Sequence, residues 1–441
     1  MAIIAQRNLF SWKEIDDLGD LERLRLLLEH LPDEELMRTL EKHRGRGRDD
    51  YPVRATWNSL LAGIVYQHPS IEGLRRELSR NGQLRDLCGF DPFLGENAIP
   101  TSSAYTNLLG NLMRFHDQVD RLFDELVNLL HVELPGFGES LAIDGKAINT
   151  HARPMSLEKK ATLARDGRRD LDADFGKKKT IRKDKKGNLI ETVKRWFGYK
   201  LHLIVESDYE LPVAYELARA SKAEQPIGRK LLTDAAKRVP GVIESAQVLS
   251  GDKGYDDTKL IVQSWNTHRI KPVIDIRMTW RDDETRLVEG TENIVYDNEG
   301  AVYCYCLETG EQRSMAYGGF EKDRETLKYR CPARHYGIEC ASAGSCPAKS
   351  GTRIPISEDR RIFTPLARST HSWTREYKKR TAVERVNSRI DVSFGFENHL
   401  IRGKSKMKLR CDLAFIVMLA MALGRARENR LDLLRSLVKV A

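Results

Sequence analysis

Asp144 and Asp252 each follow a short apolar run, and Glu384 lies in a segment crowded with arginine and lysine. Three separated carboxylates in a basic chain suit phosphodiester chemistry with two divalent ions, one activating the attacking water and the other stabilising the leaving oxygen. Hard oxygen ligands of this kind favour Mg²⁺ or Mn²⁺. Each acid alone has a plainer explanation: Asp144-Gly and Asp252-Lys-Gly as turn residues, Glu384 as the partner of Lys379 or Arg380. Two acids behind strand-like runs and a third on a basic helix together point to one site.

The elements that must carry these acids are legible around them. Leu141-Ala-Ile143 reads as a buried strand that brings Asp144 to a sheet edge before a turn at Gly145. Ala246-Gln-Val-Leu-Ser-Gly-Asp252-Lys-Gly-Tyr255 repeats the pattern. The segment Tyr377 to Arg385 lacks glycine and proline and reads as helix. Steps of three, four and seven residues return to one helical face, which predicts Tyr377, Arg380, Asn387, Ser388 and Asp391 beside Glu384. An arginine one turn before a metal-bound carboxylate can hold a DNA phosphate, and a tyrosine two turns before can bond or stack at the strand end. An ordinary salt bridge from Arg380 to Glu384 is the alternative.

At 441 residues the chain exceeds one typical core. Residues 1–135 read as an all-helical domain, with helices over 9–43, Pro52 to Tyr66, Ser70 to Asn81, Gly82 to Cys88 and Thr101 to Leu130. One of these helices could enter a DNA groove, and dimerisation or packing is the alternative. Residues 136–278 follow the order strand, hairpin, helix, strand, helix, strand, which predicts an α/β mixed sheet with flanking helices. Residues 279–360 carry short turn-flanked strands and five of the seven cysteines, and read as a β-rich insertion. Residues 361–441 return to helix and carry Glu384, so that the insertion splits the site.

The net charge of +9 and pI near 9.1 favour a polyanionic partner without identifying it. Lys177 to Lys186 holds seven basic side chains and one acid, and Arg368 to Arg410 holds twelve against four. The first run reads as an exposed loop. Its Lys177, Lys178, Lys179, Arg182 and Lys183 either lie along a DNA backbone, with salt-sensitive affinity, or form a solvated surface. Lys146, two residues beyond Asp144, joins the DNA-contacting candidates.

Few cysteines, and an amino terminus without the apolar core of a signal peptide, predict a reducing cytoplasm. The longest apolar run, Leu413 to Leu423, falls short of the ~20 residues that span a bilayer, so no membrane association is expected. In the insertion, Cys331-x3-His335-x4-Cys340-x5-Cys346, with Cys304-x-Cys306 nearby, is a candidate structural Zn²⁺ set. It lacks a Cys-x-x-Cys knuckle, and reduced thiols are the alternative.

Asp144-Gly-Lys, Gly198-Tyr-Lys-Leu-His-Leu, Gly251-Asp-Lys-Gly-Tyr255 and Tyr377-x-x-Arg380-x-x-x-Glu384 together resemble the DDE transposases of bacterial insertion sequences, in the group with a β-rich insertion before the catalytic Glu. The resemblance spans about 138 to 425 and, less specifically, the helical end-binding region through Pro52, Ser70-Ile-Glu-Gly-Leu74 and Leu87-Cys-Gly89. It implies an RNase H-like core and metal-dependent cleavage at terminal inverted repeats of a double-stranded DNA element. The freed 3′-hydroxyl would then attack target DNA, in a synaptic homodimer on the bacterial nucleoid. One departure stands out: the family pattern has a basic residue seven positions after the Glu, and this chain has Asp391 there, with Arg385 and Arg389 as substitutes only if the helix bends. In hairpin-forming relatives an aromatic between the second and third acids stacks on a flipped base, and Trp265, Trp280 and Trp373 lie in that interval. Two other readings remain: a catalytically decayed DNA-binding protein of the same origin, and a stand-alone nuclease of RNase H fold.

Overall fold

The computed structural model describes residues 19–45, 50–154, 169–183, 189–280 and 285–435. The helix expected before residue 19, and the basic residues Lys185 and Lys186, lie outside them. The amino-terminal helices are α1 (Glu22–His30), α2 (Glu34–Arg44), α3 (Val53–Val65), α4 (Ile71–Arg80), α5 (Gly82–Cys88), α6 (Ser102–Arg114) and α7 (His116–Glu133). Polar caps set several starts: Ser70 Oγ accepts from the Gly73 amide, Asn81 from Leu84 and Thr101 from Ala104. The single helix expected over Thr101 to Leu130 breaks at Phe115, whose ring meets the edge of His43 at 5.1 Å. Tertiary packing there overrides an uninterrupted helical pattern.

A mixed sheet follows. Its strands are β1 (Ser140–Asn149), β2 (Asp174–Lys183), β3 (Leu189–Glu206) and β4 (Leu211–Arg219), then α8 (Glu224–Arg238), α9 (Pro240–Ser245), β5 (Val248–Gly251), α10 (Thr258–Val262) and β6 (Lys271–Ile274). The second half of β3 lies between β1 and β4, antiparallel to both, and β1, β5 and β6 run parallel. The first half of β3 pairs with β2 from Lys183↔Leu189 to Asp174↔Gly198. Lys177 to Lys183, expected as a loop, is therefore one strand of a two-stranded arm. The β-branched and aromatic residues of Thr192 to Phe197 supply a pairing partner that the basic run does not advertise. Gly198, where the arm meets the sheet, admits no side chain, because a Cβ there would fall 2.2 Å from the Ile148 carbonyl oxygen.

The β-rich segment forms two small sheets. One holds β7 (Arg286–Leu287), β8 (Ile294–Tyr296), β9 (Val302–Tyr305) and β10 (Gln312–Ser314), and the other β11 (Ala316–Glu321), β12 (Thr326–Arg330) and, after α11 (Pro332–Tyr336), β13 (Thr352–Pro355). Ile294, Tyr296, Leu327, Tyr329, Ile354 and Phe363 form its own apolar cluster, separate from that of the main sheet. The chain then re-enters helix as α12 (His371–Lys378), α13 (Thr381–Phe394) and α14 (Lys404–Arg427).

The apolar run from Leu413 to Leu423 is the middle of α14, and every one of its side chains is buried. α14 packs against α1, α3, α6, α7, α13 and β4. One continuous core thus holds Leu24 and Trp57 of the amino-terminal helices, Ile143 and Leu203 of the sheet, and Phe415 of α14. Among the described residues, no helix is long and apolar enough to cross a membrane.

Candidate active site

β1 does not end at Asp144. It runs on through Gly145 to Asn149, because β3 is long enough to pair with it as far as Asn149↔Gly198. Asp144 therefore sits mid-strand in the centre of the sheet, not at an edge. On its other side the parallel pairing with β5 stops at Ile143↔Gly251, and Asp252 is the next residue. The two acids thus stand side by side where β1 and β5 part, although 107 residues separate them in sequence.

Burial and neighbouring acids disfavour the charged form of both carboxyls. Burial first, then the neighbouring charge of Asp252, pushes the Asp144 carboxyl up to about 6, while the Gly145 amide and Arg380 pull the other way. Burial, then Glu224, raises Asp252 above the ordinary carboxylate range. The Gly145 amide donates to Asp144 Oδ1 at 2.7 Å and the Gly254 amide to Asp252 Oδ1 at 2.8 Å. These bonds fix one oxygen of each acid.

Glu384, in the first turn of α13, is the exposed member, with 56% of its side chain accessible. The Arg380 guanidinium ties it to the sheet: Nη1 donates to Asp144 Oδ2 and Nη2 to Glu384 Oε1, both at 2.9 Å. Arg380 is more than a helix salt bridge, since it spans the sheet acid and the helix acid. Tyr377 lies beside it, the Arg380 guanidinium 5.9 Å from the centre of its ring. The helix expected from Trp373 onward tightens at Lys379 and Arg380, whose amides bond three residues back, and so divides into α12 and α13. Across that break the Tyr377 ring keeps its contact with Arg380, and its hydroxyl donates to Asp275 at 3.4 Å.

Asp391 faces Lys146 and forms an ion pair with it, and Lys146 also reaches Glu397 at 3.0 Å. Lys146 is thereby occupied within the protein. Neither Arg385 nor Arg389 replaces the missing basic residue, because Arg385 Nε donates to Glu210 at 2.6 Å and Arg389 to the same carboxylate at 2.9 Å. Of the arm residues, Lys178 is exposed and its charge acts on both Asp144 and Asp252. Lys179 pairs with Glu191 at 2.6 Å, Lys177 is exposed, and the side chains of Arg182 and Lys183 lie outside the described residues.

Sequence reasoning missed the residues behind the acids. Glu224, at the start of α8, accepts from Lys200 Nζ at 2.9 Å and adds a fourth carboxylate beside Asp252. Tyr255 is fully buried, its hydroxyl 2.7 Å from His202 Nδ1, and burial holds His202 down at about 3, a neutral ring. The strand-like Gly198-Tyr-Lys-Leu-His-Leu run was the available signal, since Lys200 and His202 alternate onto one face of β3. The three tryptophans pack against other side chains. Trp265 is buried and donates to Glu325 at 2.9 Å, Trp280 packs on Tyr296 at 5.9 Å, and Trp373 stacks on Tyr377 at 4.9 Å.

Carboxylate oxygens on adjacent, mutually repelling acids fit a divalent cation, which would offset the repulsion that raises Asp144. A competing cluster does not fit. His116, Asp120 and Asp412 bring ligand atoms within 4.8 Å of one another, yet Lys408 Nζ already lies 2.7 Å from Asp120 and 2.9 Å from His116. An ammonium fills the cation position there. In the insertion, Cys304, Cys306, Cys331, Cys340 and Cys346 line one cavity, while His335 is exposed against Tyr336, at 4.7 Å between rings.

A family model described as a transposase DDE domain matches residues 135–420, from the turn before β1 to the middle of α14. No curated protein gives a significant match. Among solved structures, the chain is similar to a piggyBac transposase in a synaptic complex with hairpin DNA, with 12% identity and a TM-score of 0.36, covering 97% of this chain and 81% of that one. The family match extends over well over half of the chain and contains β1, β5 and α13 with their three acids, and on that ground the chain belongs to the DDE transposases.

Proposed function

We propose that Asp144, Asp252 and Glu384 are the catalytic, metal-binding carboxylates of this transposase, that they take two Mg²⁺ or Mn²⁺ ions, and that the chain acts as a dimer on the ends of its element. The observation that carries the reading is the pairing of Asp144 with Asp252 where parallel strands part, with Glu384 joined to Asp144 through one guanidinium. Bound divalent ions supply Lewis-acid activation of the attacking oxygen and charge stabilisation of the leaving one. The protein's own groups do the positioning: the Gly145 and Gly254 amides orient the two aspartates, and Arg380 holds the exposed Glu384 in register with them. Arg380 and Lys178 are the cations placed to receive a DNA phosphate at the site. Cleavage at terminal inverted repeats, transfer of the freed 3′-hydroxyl to target DNA, and contacts from the amino-terminal helices and Lys177 follow from this reading.

The test is cleavage of an end-containing duplex with added Mg²⁺ or Mn²⁺. Asp144→Asn, Asp252→Asn and Glu384→Gln should each retain end binding and lose cutting by at least about 100-fold. Undiminished cutting in any of them would remove that residue from the site. Equal cutting of unrelated DNA would favour a stand-alone nuclease. The decayed-protein reading loses its motive, because Asp391 has a partner in Lys146.

A further inference from the structure

We propose that Cys304, Cys331, Cys340 and Cys346 are a tetrathiolate site for a structural zinc ion that orders the inserted β-rich domain. These four and Cys306 line one cavity with a free volume of about 20 Å³, room for a single water-sized sphere. The residues come from separate places: Cys304 from the centre of its sheet on β9, paired with Arg313 and Ile294, Cys331 from the end of β12, and Cys340 and Cys346 from the turns that follow α11. All are free thiols. Zinc is the ion that four thiolate ligands select.

The segment that delivers three of the four needs such an anchor. Between Cys331 and Gly351 the chain forms one five-residue helix and turns, and buries only Pro332, Ser342 and Ala348. That apolar burial is too small to offset the ordering entropy of so long a connection, at about 1–2 kcal/mol per residue. A metal crosslink between this segment and β9 supplies the difference. Cys306 is engaged elsewhere, its Sγ 2.9 Å from Ser342 Oγ, and the exposed His335 does not line the cavity. Cys304 therefore takes the fourth place that spacing alone assigns to His335. No three of the sulfurs lie within 4.8 Å of one another, so Cys340 and Cys346, on turns, must draw inward to reach Zn–S distances of about 2.3 Å. Binding one Zn²⁺ releases four thiol protons and leaves a site of charge −2, bordered by Arg313.

The full chain, purified without chelator or added metal, should carry one zinc per chain by elemental analysis, released by a mercurial that titrates thiols. Exchange with Co²⁺ should give the intense visible bands and sulfur-to-metal charge transfer of tetrahedral thiolate coordination. Cys304→Ser should lose the zinc, while His335→Ala and Cys306→Ser keep it. Zinc-free protein with all seven thiols reactive, disulfides among the four, or loss of zinc in His335→Ala but not in Cys304→Ser would each overturn the proposal. If Cys304→Ser does not fold, the cobalt spectrum of the unmutated chain decides: octahedral or oxygen-rich bands reject the site.

Discussion

Lys146 on β1 and Asp391 on α13 form an ion pair across 245 residues of sequence, with 11% and 26% of their side chains accessible. The pair fastens the helix that carries Glu384 to the strand that carries Asp144. Asp391→Ala leaves Lys146 with Glu397 alone and should cost about 1–3 kcal/mol in urea denaturation, with Lys146→Met/Asp391→Leu recovering most of it. Asp391→Arg restores the basic residue of the family pattern, yet it sets like charges together. It should lower stability further without tightening DNA binding, and a gain in end affinity would refute the structural role.

Lys178 and Lys179 are neighbours on one strand with different surroundings. Lys178 acts on the two aspartates, whereas Lys179 is paired with Glu191. Lys178→Ala should reduce the salt dependence of end binding by about one counterion, and Lys179→Ala should reduce it less. The slope of log affinity against log salt for the two variants checks the order.

Gly254 faces two acids at once. A methyl there would fall 1.8 Å from Glu224 Oε2 and 2.8 Å from Asp252 Oδ1. Gly254→Ala should displace Glu224 and turn Asp252, lowering cleavage by about 100-fold while end binding survives. A single-turnover assay beside a mobility-shift titration separates the two effects.

His116 gives the fold a pH dependence. Hydrogen bonds to Asp120 and then Asp412 push it up to about 9, with Lys408 beside it and Arg238 4.0 Å from Asp120. A histidine raised in the folded state contributes stability fully below its ordinary value of about 6.5 and loses it as pH rises through the folded value. Melting temperature should therefore fall between about pH 6.5 and 9, by the equivalent of about 1–3 kcal/mol, and His116→Gln should flatten that part of the profile. A decline of equal size in the variant would assign it to other groups.

The sheet, its hairpin, the inserted β-rich segment and the helix bearing Glu384 were legible because each has a period or a turn signal of its own. Asp144 and Asp252 could be paired in thought from two similar apolar runs, and the parallel register of β1 with β5 gives that pairing its physical basis. Relations that depend on a break in a helix or on a distant partner were not legible. The tightened turn at Lys379 and Arg380 sends Tyr377 to Asp275, and the arm hides a strand inside a basic run. Glu224 carries no local pattern that marks it as a neighbour of the acids, since only the fold brings it there.

α14 has a consequence for how cuts are measured out along DNA. It is buried at once against the amino-terminal helices, α13 and β4, so among the described residues one core joins the two halves. Under the proposed function, a stretch of duplex held by the amino-terminal helices would lie at a set distance from Asp144, and the fold itself would become a ruler. The number of base pairs between the recognised sequence and the severed bond would be dictated by side-chain packing around Phe415, and a cavity opened there would blur the position of the cut before it abolished cutting.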